Sequence, residues 1–155
     1  MNIKRFVAAC VVVFLFGFFF DWFFHGVVMK ESYAQTAHLW RTQEEMGSHF
    51  GWLVFGQLFQ TILFCLIYTR SESAKQGVGF AAGYGLAIGA LLGAGESVIG
   101  YAVQPLPQTL AATWLVGGLV RFTIAGALLG AIYRPSQRIA ASVAPGDALP
   151  PLVVR

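Results

Sequence analysis

Four side chains stand where hydrocarbon would be expected: Asp21, Gln57, Glu96 and Arg121 each interrupt a run of apolar residues. Ionisable groups on membrane-spanning helices are costly in lipid, so they face the bundle interior or a wet cavity and find partners there. At about 1.5 Å rise per residue, Asp21 lies about 10 Å below the outer end of its stretch, Gln57 about 13 Å and Glu96 about 12 Å inside theirs. Arg121 lies about 18 Å deep, and its long side chain reaches outward by several ångströms. All four stretches therefore bring one polar group to a common level in the outer half of a bilayer. With two carboxylates against one guanidinium, one of Asp21 and Glu96 is expected to pair with Arg121. The other is expected to be protonated or to hold a cation. Two chemistries remain open for this buried polar cluster: interhelical glue that fixes register, or a proton-linked or ligand-binding site.

A second constellation lies nearer the outer surface. His25 follows Asp21 by four residues and His49 follows Glu45 by four, so each pair shares a helix face. Imidazole with carboxylate suits zinc, iron or copper, and two histidines on neighbouring helices can ligate haem. His25, His49 and Glu45 are therefore the candidate metal or haem ligands, with hydrogen-bonded interface histidines as the plainer reading. No HEXXH motif is present, no serine or cysteine nucleophile stands at a recognisable spacing from a histidine, and the GxG elements follow no strand. The reading leans away from an enzyme, with no catalytic residue and no cofactor beyond the metal or haem alternative. Cys10 and Cys65 lie inside apolar stretches without a CxxC, and read as buried membrane thiols.

The elements that must position these residues are four apolar stretches, at about 6–28, 48–69, 77–103 and 109–133, each long enough to cross a bilayer. The chain has 155 residues, 57% of them hydrophobic and 11% charged, a composition of the membrane class. Its net charge of +3 is too small and too dispersed for nucleic-acid binding. The first stretch contains Asp21 and exceeds the roughly 7–15-residue core of a secretory signal, so it is expected to be retained as a span. The third stretch, Gly77 to Tyr101, repeats glycine at four-residue spacing (Gly79/Gly83 and Gly85/Gly89/Gly93), a glycine-zipper pattern that lets membrane helices approach closely. Its glycine face is expected to sit centrally, against the fourth span and the first. Gly126/Gly130 offer either a homo-oligomer interface or packing within the chain, and the phenylalanines of the first span are expected to face lipid.

Orientation follows from the basic residues. Lys4, Arg5, Arg70, Lys75, Arg134, Arg138 and Arg155 fall on one side, and only Lys30 and Arg41 on the other. This places both termini in the cytoplasm and the 29–47 and 104–108 loops outside. The outer loop is expected to form a short interfacial helix with Leu39 and Trp40 against lipid headgroups. Tyr68-Thr69-Arg70 and Tyr133-Arg134 close the second and fourth spans, either as interface anchors or as a trace of duplicated hairpins. The 136–155 tail, with Pro145, Gly146, Pro150 and Pro151, is expected to be disordered.

The segment Phe20-Asp21-Trp22-Phe23-Phe24-His25-Gly26, the outer-loop Trp40 and the glycine-rich later spans together resemble the DUF1761-like group of small four-span bacterial membrane proteins. The likeness runs over about 6–134. It implies a topology and no function, and Asp21 and His25 depart from the more tyrosine-rich segment expected there. The expected molecule is an all-α four-helix bundle, residues 1–135, in a bacterial inner membrane. Its expected role is structural or accessory. The alternatives are a small proton-linked or ligand transporter acting as an oligomer, and a metal- or haem-binding protein.

Overall fold

The computed structural model describes residues 2–71 and 76–133. The 136–155 tail, Lys75, Arg134, Arg138 and Arg155 lie outside the described residues. Within them every element is helical, so each segment satisfies most of its backbone polar groups internally.

Helix α1 (Ile3–Phe23) starts at Asn2, whose side chain accepts the Arg5 N–H, a standard way to satisfy an orphan donor of the first turn. It runs on through a wide π-helical stretch, Phe24–Val28. The connection to the next long helix holds α2 (Lys30–Gln35), a 3₁₀ turn (Ala37–Leu39) and α3 (Gln43–Ser48). α4 (Phe50–Arg70) returns across the molecule. Gly77, at φ +89°, the one left-handed position among the described residues, opens α5 (Val78–Gly93). α5 continues through a second π-helical stretch, Ala94–Ile99, into α6 (Gly100–Val103). Pro105 and Pro107 carry no N–H and interrupt the helix, and α7 (Gln108–Ile132) completes the set. Four helical runs, Ile3–Val28, Phe50–Arg70, Val78–Val103 and Gln108–Ile132, are long and apolar enough to cross a membrane. Their bounds lie within about three residues of those read from the sequence.

The most extensive interface joins α5 to α7, and α1 packs on both α7 and α4. Close approach explains the first. A Cβ on Gly85 would collide with the Phe122 carbonyl oxygen, and one on Gly126 with the Ala81 carbonyl oxygen. Only glycine lets these backbones meet. The buried face of the third span runs through Ala81, Gly85, Gly89, Gly93 and Ser97, four residues apart. Gly79 and Gly83 sit on open positions where an added Cβ would meet nothing within 4 Å. The expectation that the glycine face also abuts the first span is thus corrected: it packs on α7, and α1 is not a major neighbour of α5. Gly126 and Gly130 are likewise occupied by Ala81 and its neighbours within the chain.

Three other expectations change. Phe19 and Phe23 are exposed, but Phe16, Phe20 and Phe24 form a half-buried ladder with ring centroids 5.7 and 5.8 Å apart. Phe24 caps the cleft over Gly117, where any side chain would strike its ring. Tyr68 and Tyr133 are buried core residues instead of interface anchors, and the Tyr133 hydroxyl accepts the Asn2 N–H. Leu39 and Trp40 pack on Met29, Leu106 and Leu110 as a cap over one end of the bundle, so both are engaged within the chain.

Candidate functional site: a polar network between the first and last spans

Asp21 lies on the last turn of α1 and Arg121 near the middle of α7, and these helices run antiparallel. The Arg121 Nε stands 2.9 Å from Asp21 Oδ1, with side chains only 13% and 20% exposed. The Nε–H is not aimed along this line as a hydrogen bond, so the contact is an ion pair held by charge. α4 supplies both flanks. Gln57 donates its Nε2–H to Asp21 Oδ2 at 2.7 Å. Arg121 donates from Nη1 to Gln60 Oε1 at 3.1 Å. Gly17, one turn before Asp21, makes the space: a Cβ there would lie 3.0 Å from Arg121 Nη2. Phe122 covers the guanidinium, whose carbon is 4.8 Å from the ring centroid, within cation–π range. A cavity of about 10 Å³, lined by Gly17, Gln60, Thr61 and Arg121 among others, adjoins the network. That is room for a single water. Among the described residues, Gln57 Oε1 is buried with no protein hydrogen-bond partner.

The structure brings together Asp21, Gln57 and Arg121, three of the four candidates, and leaves Glu96 aside. Asp21 takes the guanidinium; Glu96 is exposed and no hydrogen bond or ion pair joins it to them among the described residues. The cause is helical phase. Ser97, 2% exposed, continues the packed Gly85–Gly89–Gly93 face, and Glu96, one residue earlier, projects from a different, exposed side of the helix. Its charge still acts on Asp21, Arg121 and Tyr33. Gln60 and Gly17 were not read as members. Gln60 stands three residues after Gln57, a spacing that puts both on one face and could have found it.

Above this network, Tyr33 gathers a second set. Its hydroxyl accepts the Trp114 Nε1–H at 2.9 Å and lies 2.6 Å from His25 Nδ1. Burial pushes the Tyr33 hydroxyl above its usual range, the indole hydrogen bond opposing this and the Glu96 charge adding to it. Indole only donates and a neutral phenol keeps its proton. The Tyr33 oxygen accepts from Trp114 and is paired with His25 Nδ1, the direction of that second hydrogen bond being set by the imidazole tautomer. Trp40 meets the Tyr33 ring edge-on, with centroids 5.5 Å apart, and lies tilted against Trp114 at 5.7 Å, its Nε1–H donated to Thr36 Oγ1.

His49 belongs to a different set. Its Nδ1–H donates to the Glu45 carbonyl at 2.8 Å, with Ser48 Oγ at 3.0 Å. The Glu45 carboxylate is turned to Thr42, accepting its N–H and hydroxyl in a capping box. His25, His49 and Glu45 thus do not converge. Among the described residues no group of three or more His, Cys, Asp or Glu side chains is arranged to hold a metal.

No protein-family model matches the chain. No curated protein matches it in sequence. No solved structure matches it.

Proposed function

We propose that this chain is a non-enzymatic, multi-pass protein of a bacterial inner membrane, with both termini cytoplasmic and a structural or accessory role. In this reading the Asp21–Arg121 pair locks the first span to the last. One observation carries it: the pair is neutral overall and flanked by two glutamine amides, Gln57 on the carboxylate and Gln60 on the guanidinium. A network that satisfies its own charges holds helices in register and offers little to a cargo. Its partner is the lipid bilayer. Any self-association would use surfaces other than Gly126 and Gly130, which α5 covers. The test is Asp21→Asn and Arg121→Met, singly and together, read as the amount of folded protein in membranes and as complementation of the gene deletion. A lock predicts that the single variants lose protein and the double variant recovers both protein and complementation. A double variant that accumulates normally yet fails to complement would overturn it.

A second reading, a proton-linked or small-ligand site acting in an oligomer, is favoured by the unpartnered Gln57 Oε1 and the water-sized cavity at Arg121. Under it, folded protein would survive in the Gln57→Leu variant while pH-dependent flux into proteoliposomes would be lost.

A further inference from the structure

Nothing in the sequence spacing joins Cys10 and Cys65, yet the fold does. α1 and α4 form an antiparallel pair whose register is set by the Asp21–Gln57 contact. Counting back 11 residues along α1 and forward 8 along α4 moves about 17 Å and 12 Å in the same direction, which brings Cys10 and Cys65 to neighbouring levels. Cys65 belongs to the buried core and Cys10 packs against that same core, on two helices in direct contact, and both are free. They are not equivalent. Cys65 is fully buried, whereas Cys10 is only partly covered.

We propose that Cys10 and Cys65 form a redox-active dithiol that closes into a disulfide between α1 and α4 when met by a membrane-permeant hydroperoxide. The unequal exposure assigns the roles. The Cys10 sulfur attacks the terminal peroxide oxygen and the O–O bond breaks. The alcohol leaves with the proton that Cys10 gives up, and Cys10 becomes a sulfenic acid. The Cys65 sulfur then attacks the Cys10 sulfur. The S–S bond forms, and the departing hydroxide takes the Cys65 proton and leaves as water. Two thiols and one hydroperoxide thus yield one disulfide, one alcohol and one water, the peroxide accepting two electrons. A sulfenic acid beside a second thiol condenses in this way. The product ties the first span covalently to the second.

The test uses the full chain in phospholipid membranes exposed to cumene hydroperoxide, then denatured and labelled with a maleimide. Labelled thiols should fall from two to none, return to two after dithiothreitol, and yield a peptide joining Cys10 to Cys65 on digestion of the unreduced protein. With Cys65→Ser, Cys10 should be trapped by dimedone. With Cys10→Ser, Cys65 should stay fully labelled after the same exposure. Retention of both thiols in the wild type, oxidation of Cys65 in the Cys10→Ser variant, or bonds formed only between chains would each overturn the proposal.

Discussion

Arg121 reaches across from α7 to Asp21 on α1, its Nε 2.9 Å from Oδ1, by lying over the bare backbone of Gly17 one turn earlier on that same helix. A charge from the last span is thus seated in a notch of the first, and the notch exists because residue 17 has no side chain. Gly17→Leu should therefore displace the guanidinium from Asp21. Overpacking of this kind costs about 1–3 kcal/mol. Unfolding in mixed micelles should show that loss, and it should largely vanish in an Arg121→Met background. A loss of equal size with and without the arginine would contradict the seating.

The α5–α7 interface makes a paired prediction within one helix. Gly85→Ala should force the two backbones apart and destabilise the bundle by about 1–3 kcal/mol. Gly83→Ala, at a position with open space, should be neutral or slightly stabilising, since alanine favours helix over glycine by about 1 kcal/mol. Thermal unfolding of the two variants in one detergent distinguishes them. Similar midpoints would contradict the close approach.

Tyr33 holds the cap over this end of the bundle through one oxygen. Tyr33→Phe leaves the Trp114 indole N–H and His25 Nδ1 without that partner, at a cost of about 1–3 kcal/mol. Tryptophan emission should shift as Trp40 and Trp114 loosen, while the Asp21–Arg121 coupling is unchanged. An unaltered spectrum and stability would argue against the cap.

The capping box at α3 predicts a local response to acid. Glu45 is held below its usual range, first by the Thr42 backbone N–H and then by the Thr42 hydroxyl. A carboxyl whose pKa is lower when folded contributes above its unfolded pKa and loses that contribution as pH falls through the folded value. Amide exchange across Gln43–Ser48 should therefore quicken relative to the rest of the chain on acidification below the ordinary glutamate range. Thr42→Ala should show the same quickening at neutral pH, whereas exchange in Phe50–Arg70 should stay the same.

How much of this was legible in the sequence depended on the kind of signal. Helices such as Phe50–Arg70 and Gln108–Ile132 announce themselves because length and apolar content are local properties. Asp21, Gln57 and Arg121 could be grouped because depth is additive along a helix. Rotation was not legible: whether Asp21 or Glu96 meets Arg121 depends on which face of α5 lies on α7, and that was decided by the Gly85–Phe122 contact, which depends on the position of another helix. The π-helical stretches at Phe24–Val28 and Ala94–Ile99 have no signature in residue spacing. Tyr33 was hidden for another reason. It sits in a polar loop and joins the cap only because His25 and Trp114 arrive from two different spans.

The most direct measurement is a pair of double-mutant cycles on Arg121, one with Asp21 and one with Glu96, read by equilibrium unfolding. Arg121→Met is combined with Asp21→Asn in the first and with Glu96→Gln in the second. Residues in one ion-pair network couple by about 0.5–3 kcal/mol, and independent ones add to within about 0.5 kcal/mol. The structure predicts coupling in that upper range for Asp21 and near-additivity for Glu96. Additive losses for Asp21, or stronger coupling to Glu96, would contradict the interior pairing of the first and last spans.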